Sequence, residues 1–259
     1  MKLNVVRADP AGNITLFVLD PVEREKRAGI AAKLMAVPEW KAEQVAFLCA
    51  PRQGGDGRME MMGGEFCGNA ARAYGMMVAR QRGGAEQVRI ETSGVGQPVQ
   101  VNVDLAAGTA RAEMPLPLAV RSVEVDGRSG VVVNLGGIAH LVVEGEEPSL
   151  EFFEKAEEVF RGVRGLGAYG VIFLESARGR LTPLVKVPAT GTLIWEGSCG
   201  SGSLAAAIAQ SQGRDGEFSA VYRQPAGTVE VTVIREAGAV TAAWIGGPVA
   251  FDEPIEIEA

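Results

Sequence analysis

The sequence predicts an α+β fold of two similar β-rich domains, each built around a central helix, and three observations carry that prediction. First, Gly63-Gly64-Glu65-Phe66-Cys67-Gly68-Asn69-Ala70-Ala71-Arg72 and Trp195-Glu196-Gly197-Ser198-Cys199-Gly200-Ser201-Gly202-Ser203-Leu204 share one grammar: a β-like run, a cysteine followed by glycine, then an Ala-rich stretch with helical spacing. Second, Gly170-Val171-Ile172-Phe173-Leu174-Glu175 echoes Gln44-Val45-Ala46-Phe47-Leu48-Cys49 at the matching place upstream of each cysteine. Third, Gly227 to Val233 matches Gly96 to Asn102 downstream, so a comparable stretch separates Cys67 from Val99 and Cys199 from Val229. Duplication of one domain explains this order, whereas a solenoid needs several short repeats.

Taken in order, Leu3–Val6 reads as a strand, Asp9-Pro10-Ala11-Gly12-Asn13 as a turn and Ile14–Leu19 as a second strand. Helical character runs from Glu23 to Met35 and stops before Pro38, and Val45–Cys49 is a buried strand by its continuous apolar run. Cys49, inside that run, is expected in the core. Arg58–Met62 leads as a strand into the first cysteine motif, and Ala70–Arg80 is the helix behind it. Strands follow at Gln87–Glu91, Val99–Val103 and Thr109–Met114. Pro115-Leu116-Pro117 excludes both helix and central strand and sets the expected boundary, giving domains 1–117 and 118–248. The closing segment, 249–259, is expected to cross back to the first domain as a strand. A pseudo-twofold relation would set the two helix N-termini across an interdomain cleft, where ligands usually bind.

Composition narrows the chemistry. The 259 residues are 47% hydrophobic and 22% charged, as in globular proteins with a full core, and 34 glycines imply tight turns and close backbone approach. A formal charge of −7 argues against nucleic acid or an anionic membrane as partner and leaves small molecules. The chain has neither the long apolar run of a membrane span nor the apolar core of a signal peptide at its start, so a cytoplasmic location is expected. Three scattered cysteines at 49, 67 and 199 form no disulfide framework and suit a reducing compartment.

Cysteine at a helix N-terminus meets unpaired N–H groups and the positive end of the dipole. Both favour thiolate, so lowered thiol pKa values and a carboxylate cradle are expected at Cys67 and Cys199. A zinc site lacks a ligand set, and nucleotide binding lacks its lysine or full glycine fingerprint. A single-cysteine nucleophile with His140 would leave the other thiol idle. Proton transfer by a thiolate and a thiol at one α-carbon uses both, with the cradle stabilising the carbanion. A non-catalytic amino-acid sensor using the same cradle is the alternative from another class.

These residues resemble the diaminopimelate epimerase family of cofactor-independent, two-cysteine racemases over most of the chain. Phe66-Cys67-Gly68-Asn69-Ala70-Ala71-Arg72 is similar to the family's Cys-Gly-Asn-Gly-Ala-Arg, Cys199-Gly200-Ser201-Gly202 to its Cys-Gly-Thr-Gly, and Gly12-Asn13 to its Gly-Asn turn. The resemblance implies the diaminopimelate epimerase-like fold, catalysis by Cys67 and Cys199, no cofactor or metal, and a homodimer. It further implies that His140 orients or deprotonates Cys67, that Glu196 serves Cys199, and that Asn13, Gly68, Asn69, Gly200 and Ser201 bind the amino-acid substrate. The family's Gly-Asn-Pro-His reads Gly137-Ile138-Ala139-His140, its Thr-Asn-Val-Glu-Phe reads Tyr169-Gly170-Val171-Ile172-Phe173, and its arginine before the second cysteine is missing. Groups that hold the far end of diaminopimelate are thus lost. Among its relatives the chain is most similar to the histidine racemases of metallophore biosynthesis, which implies conversion of L-histidine to D-histidine, with diaminopimelate epimerisation as the alternative.

Overall fold

A computed structural model of the chain describes residues 2–258; Met1 and Ala259, the outer ends of the segments assigned to the first domain, lie outside the described residues. The chain forms two compact units, Met1–Glu113 with Gly246–Ala259, and Met114–Ile245.

In the first unit, β1 (Lys2–Asp9) and β2 (Thr15–Val18) are antiparallel, with Ala11 and Gly12 both at positive φ in the turn between them. Helix α1 (Arg24–Met35) crosses to β3 (Gln44–Cys49), which lies parallel to β2, and β4 (Gly57–Met61) returns antiparallel. Helix α2 (Gly68–Gln81) then crosses to β5 (Gln87–Thr92), parallel to β4, and β6 (Val99–Asp104) and β7 (Thr109–Glu113) complete a meander. Parallel neighbours require such crossovers.

The second unit repeats the plan. A hairpin of β8 (Ala119–Val125) and β9 (Arg128–Asn134) leads to β10 (Ile138–Glu144), antiparallel to β9. Helix α3 (Leu150–Ala156) crosses to β11 (Ala168–Glu175), parallel to β10, and β12 (Arg180–Val187) returns antiparallel with β13 (Thr192–Trp195) beside it. Helix α4 (Gly200–Gln210) leads to β14 (Gly216–Arg223), which meets β12 in parallel, then to β15 (Thr228–Glu236), antiparallel to β14, and β16 (Ala239–Pro248). The last strands, β17 (Ala250–Phe251) and β18 (Ile255–Glu258), pair antiparallel with β1. They give β1 the outer partner that β8 gives β9.

Each cysteine helix lies in the core of its own unit. Every residue of α2 from Gly68 to Ala79 is buried, with Ala70, Ala73, Met76 and Val78 packed among Val88, Ile90, Val101 and Ala112. A helix apolar on all sides must be enclosed, and small residues let strands come close: a Cβ on Gly75 would stand 2.5 Å from the Val101 side chain. In α4, Leu204 to Ile208 are at most 0% exposed. The fully buried Arg72 donates to Asn69 Oδ1 and to the carbonyls of Gly247 and Pro248, tying α2 to the returning C-terminal segment.

Candidate active site

Cys67 and Cys199 are the N-cap residues of α2 and α4, both with extended backbone (φ −126° and −123°). Each sulfur accepts a hydrogen bond from a backbone N–H of the first turn: Ala70 N at 3.4 Å and Gly202 N at 3.3 Å. The Cys-Gly-x-x grammar therefore folds as the sequence leads one to expect, with the thiol in the position usually taken by Ser or Asp.

Around Cys67 the side chains come from β3 and the turn before β2. Gln44 Nε2, buried at the start of β3, lies 3.2 Å from the sulfur, and Asn13 Oδ1 lies 3.6 Å from it. Two protonation states are thus served by different atoms. As a thiol, Cys67 donates to Asn13 Oδ1; as a thiolate, it accepts from Gln44 and the Ala70 N–H. Asn13 in turn donates from Nδ2 to Glu43 at 2.6 Å. Asn69 accepts from Arg72 Nε at its side-chain oxygen, 3.1 Å away, and its backbone N–H reaches the Cys67 sulfur.

Cys199, 5% exposed, has an equivalent arrangement built from other residues. Its S–H is taken by the Glu196 carboxylate, just beyond β13, while Ser201 Oγ, 3.5 Å away, and the Gly202 N–H serve the thiolate. The hydroxyl of Ser201 also meets His140 Nε2 at 2.8 Å. His140 is 0% exposed and its Nδ1 has no hydrogen-bond partner, so the imidazole proton belongs on Nε2, where it has an acceptor. The Ser201 hydroxyl is then free to donate to Cys199. Gln224, after β14, accepts from the Cys199 N–H at 2.7 Å and donates to Ser203 Oγ at 2.9 Å, which fixes the cap.

Three expectations are corrected. The thiol pKa values are raised, not lowered: burial comes first at Cys67, against the N–H groups of Ala70 and Asn69 and the Gln44 amide, with Glu65 adding to the rise. Cys199 is held well above the usual thiol value, by burial first and then by Glu196, against Ser201 and Gly202. Desolvation of the charged form outweighs the helix terminus at both. The hydrogen bond of His140 runs to Ser201 and so to Cys199 rather than to Cys67, and burial depresses its pKa to about 3, which makes it a fixed neutral donor and not a base. Cys49 is half-buried at the end of β3 with Arg27 Nη2 3.3 Å from its sulfur, not a core thiol. Sequence reading missed Gln44, Thr15, Glu43 and Gln224. Only Gln44 left a trace, as the polar residue opening an apolar strand.

The fold is that of racemases and epimerases. A predicted epimerase from Pseudomonas aeruginosa superposes with a TM-score of 0.69 at 13% identity, covering 100% of both chains. A hydroxyproline epimerase from Agrobacterium vitis gives 0.60 at 13% identity over 99% of this chain and 92% of that one. The chain itself belongs to the histidine racemase family, its residues 2–252 matching the model described as the histidine racemase CntK N-terminal domain. Relatives include a histidine racemase of Fusobacterium nucleatum, 28% identical with 78% of each chain covered, and one of Staphylococcus aureus, 27% identical over 88% of this chain and 87% of that one. The protein is accordingly an isomerase of the amino-acid racemase class.

Proposed function

We propose that the chain interconverts L- and D-histidine without pyridoxal phosphate, using Cys67 and Cys199 as a two-base pair. One observation carries this reading: each thiol has one acceptor for its S–H and a separate set of donors for its S⁻, as a group that cycles between acid and base requires. Glu196 favours the protonated form of Cys199, so Cys67 ionises first. The Cys67 thiolate takes the α-proton, forming an S–H bond as the C–H bond breaks, and the electron pair is left on the α-carbon. The Cys199 thiol gives its proton to the opposite face, and the new Cys199 thiolate is held by Ser201 and the Gly202 N–H. The reverse reaction exchanges the roles.

The N–H groups of Gly68, Asn69, Gly200 and Ser201, at the first turns of α2 and α4, are suited to the substrate carboxylate, which carries charge from the carbanion. Asn13 completes the contacts, and His140 holds Ser201. Histidine is supported by the family and by the names of the relatives. We place the enzyme in the cytoplasm as a homodimer supplying D-histidine for metallophore assembly, on the motif resemblance.

Chiral chromatography after incubation with L-histidine and no added pyridoxal phosphate tests the proposal. D-Histidine should form, and Cys67→Ser and Cys199→Ser should each abolish it. Faster turnover of diaminopimelate than of histidine would overturn the substrate, and full activity of either serine variant would overturn the mechanism.

A further inference from the structure

Donor and acceptor logic around Cys67 leads beyond the thiols to a residue that does not touch them. Asn13 and Gln44 are both amides, and each could be turned end for end. As they stand, Gln44 Nε2 lies 2.8 Å from Asn13 Oδ1, 2.8 Å from Thr15 Oγ1 and 3.2 Å from Cys67 Sγ, so its two hydrogens are shared among three acceptors. If both amides turned together, Asn13 Nδ2 would donate to Gln44 Oε1 and the pair would remain satisfied between themselves. The difference falls on the neighbours. An oxygen would face the Cys67 sulfur at the short distance, and a thiolate there would be repelled instead of held.

The Thr15 hydroxyl does not decide the matter, because a hydroxyl can donate or accept. Glu43 does. Ionised, its carboxylate has no hydrogen to give, although burial raises its pKa, and Asn13 Nδ2 meets it at 2.6 Å. Turning Asn13 would oppose two acceptors at that distance. The strand register holds the group in place: Thr15 pairs with Gln44 across the parallel β2–β3 ladder, and the N–H groups of Glu43 and Gln44 both reach the Ile14 carbonyl, at 3.0 and 3.3 Å.

We propose that Glu43 is a positioning residue which sets the polarity of the Asn13–Gln44 amide pair so that a donor, not an acceptor, faces Cys67. The chain of consequence runs from an acceptor-only group at position 43, to the nitrogen of Asn13 turned outward and its oxygen inward, to the nitrogen of Gln44 aimed at the sulfur. The proposal rests on the reading of Cys67 as an acid–base thiol, but its test does not depend on turnover.

The experiment follows the pH dependence of iodoacetamide alkylation at Cys67, resolved from Cys49 and Cys199 by peptide mass spectrometry on the full chain, with Cys199 as internal reference. In Glu43→Ala the Cys67 midpoint should move up and its rate near pH 8 should fall about three- to tenfold. Loss of a negative charge alone acts in the opposite sense and would speed the reaction. Glu43→Gln removes the charge and can present either end of its amide to Asn13, so it no longer sets the polarity and should slow Cys67 in the same sense as Glu43→Ala. A Cys67 rate that is unchanged or faster in Glu43→Ala, or one that stays at the unaltered level in Glu43→Gln, overturns the proposal. Circular dichroism checks the fold, and Glu43→Leu, read in the same way, replaces the alanine variant if that one unfolds. A chain that shows this pattern yet racemises no amino acid would reject the function proposed above and leave the amide polarity standing.

Discussion

Acidification should destabilise the protein through His140, and the size of the effect follows from its surroundings. The imidazole is 0% exposed with its pKa depressed from 6.5 to about 3 by burial, so the unfolded chain binds this proton at a higher pH than the folded one. Its contribution is therefore fully present above pH 6.5 and is lost as pH falls towards about 3. Each pH unit in that window costs about 1.4 kcal/mol, so near pH 4.5 this one ring has removed about 3 kcal/mol, a large part of a typical domain's stability. His140→Gln keeps a nitrogen donor for Ser201 but cannot titrate. Urea denaturation of both proteins at pH 7 and pH 4.5 isolates the term: the pH-dependent loss should be smaller in the variant by about 3 kcal/mol. Because the chain has one histidine, its NMR titration needs no assignment. An imidazole that titrates near 6.5 in the folded protein, or equal losses in both proteins, would refute the reasoning.

Three further outcomes are expected. Glu196→Gln removes the carboxylate that raises the Cys199 pKa, so alkylation of Cys199 at fixed pH should quicken several-fold; an unchanged rate would show that burial alone sets it. Gly202→Ala places a Cβ 3.1 Å from Cys199 Sγ and 2.5 Å from Ile172 Cδ1, so kcat should fall about tenfold or more while circular dichroism stays native. Arg72→Met strands the Asn69 oxygen and the carbonyls of Gly247 and Pro248, and should lower the free energy of unfolding by about 3–5 kcal/mol in urea titration; a change below about 1 kcal/mol would contradict the tie described for it.

The sequence was most legible where punctuation and periodicity coincide. Gly68 and Gly200 mark the helix starts, and the strands around them appear within a few residues of their places: α2 begins at Gly68 against an expected Ala70, and β3 at Gln44 against Val45. The secondary structure between 118 and 168 is not legible in the sequence, because β8 and β9 alternate weakly, with mostly exposed residues in β8, and α3 has only seven residues. The two thiols were legible as a pair, yet the direction of their pKa shifts was not. A helix terminus can be inferred from spacing, whereas the desolvation that outweighs it depends on how deeply the fold covers each cap. The donors and acceptors of Cys67 were hidden for a further reason: Gln44 lies 23 residues away and Asn13 lies 54, and only the β2–β3 register brings them to the sulfur. His140 was visible as the lone histidine, but its partner Ser201 is 61 residues on.

Where the α-hydrogen goes during the first turnovers tests two-thiol catalysis most directly. With L-histidine in deuterium oxide and no added cofactor, the D-histidine formed early should carry deuterium at the α-carbon, while recovered L-histidine keeps its protium, because one thiol removes the hydrogen and the other delivers a solvent-derived one. Protium returned to the D-product would mean that a single base works both faces, and would contradict the assignment of Cys67 and Cys199 as partners.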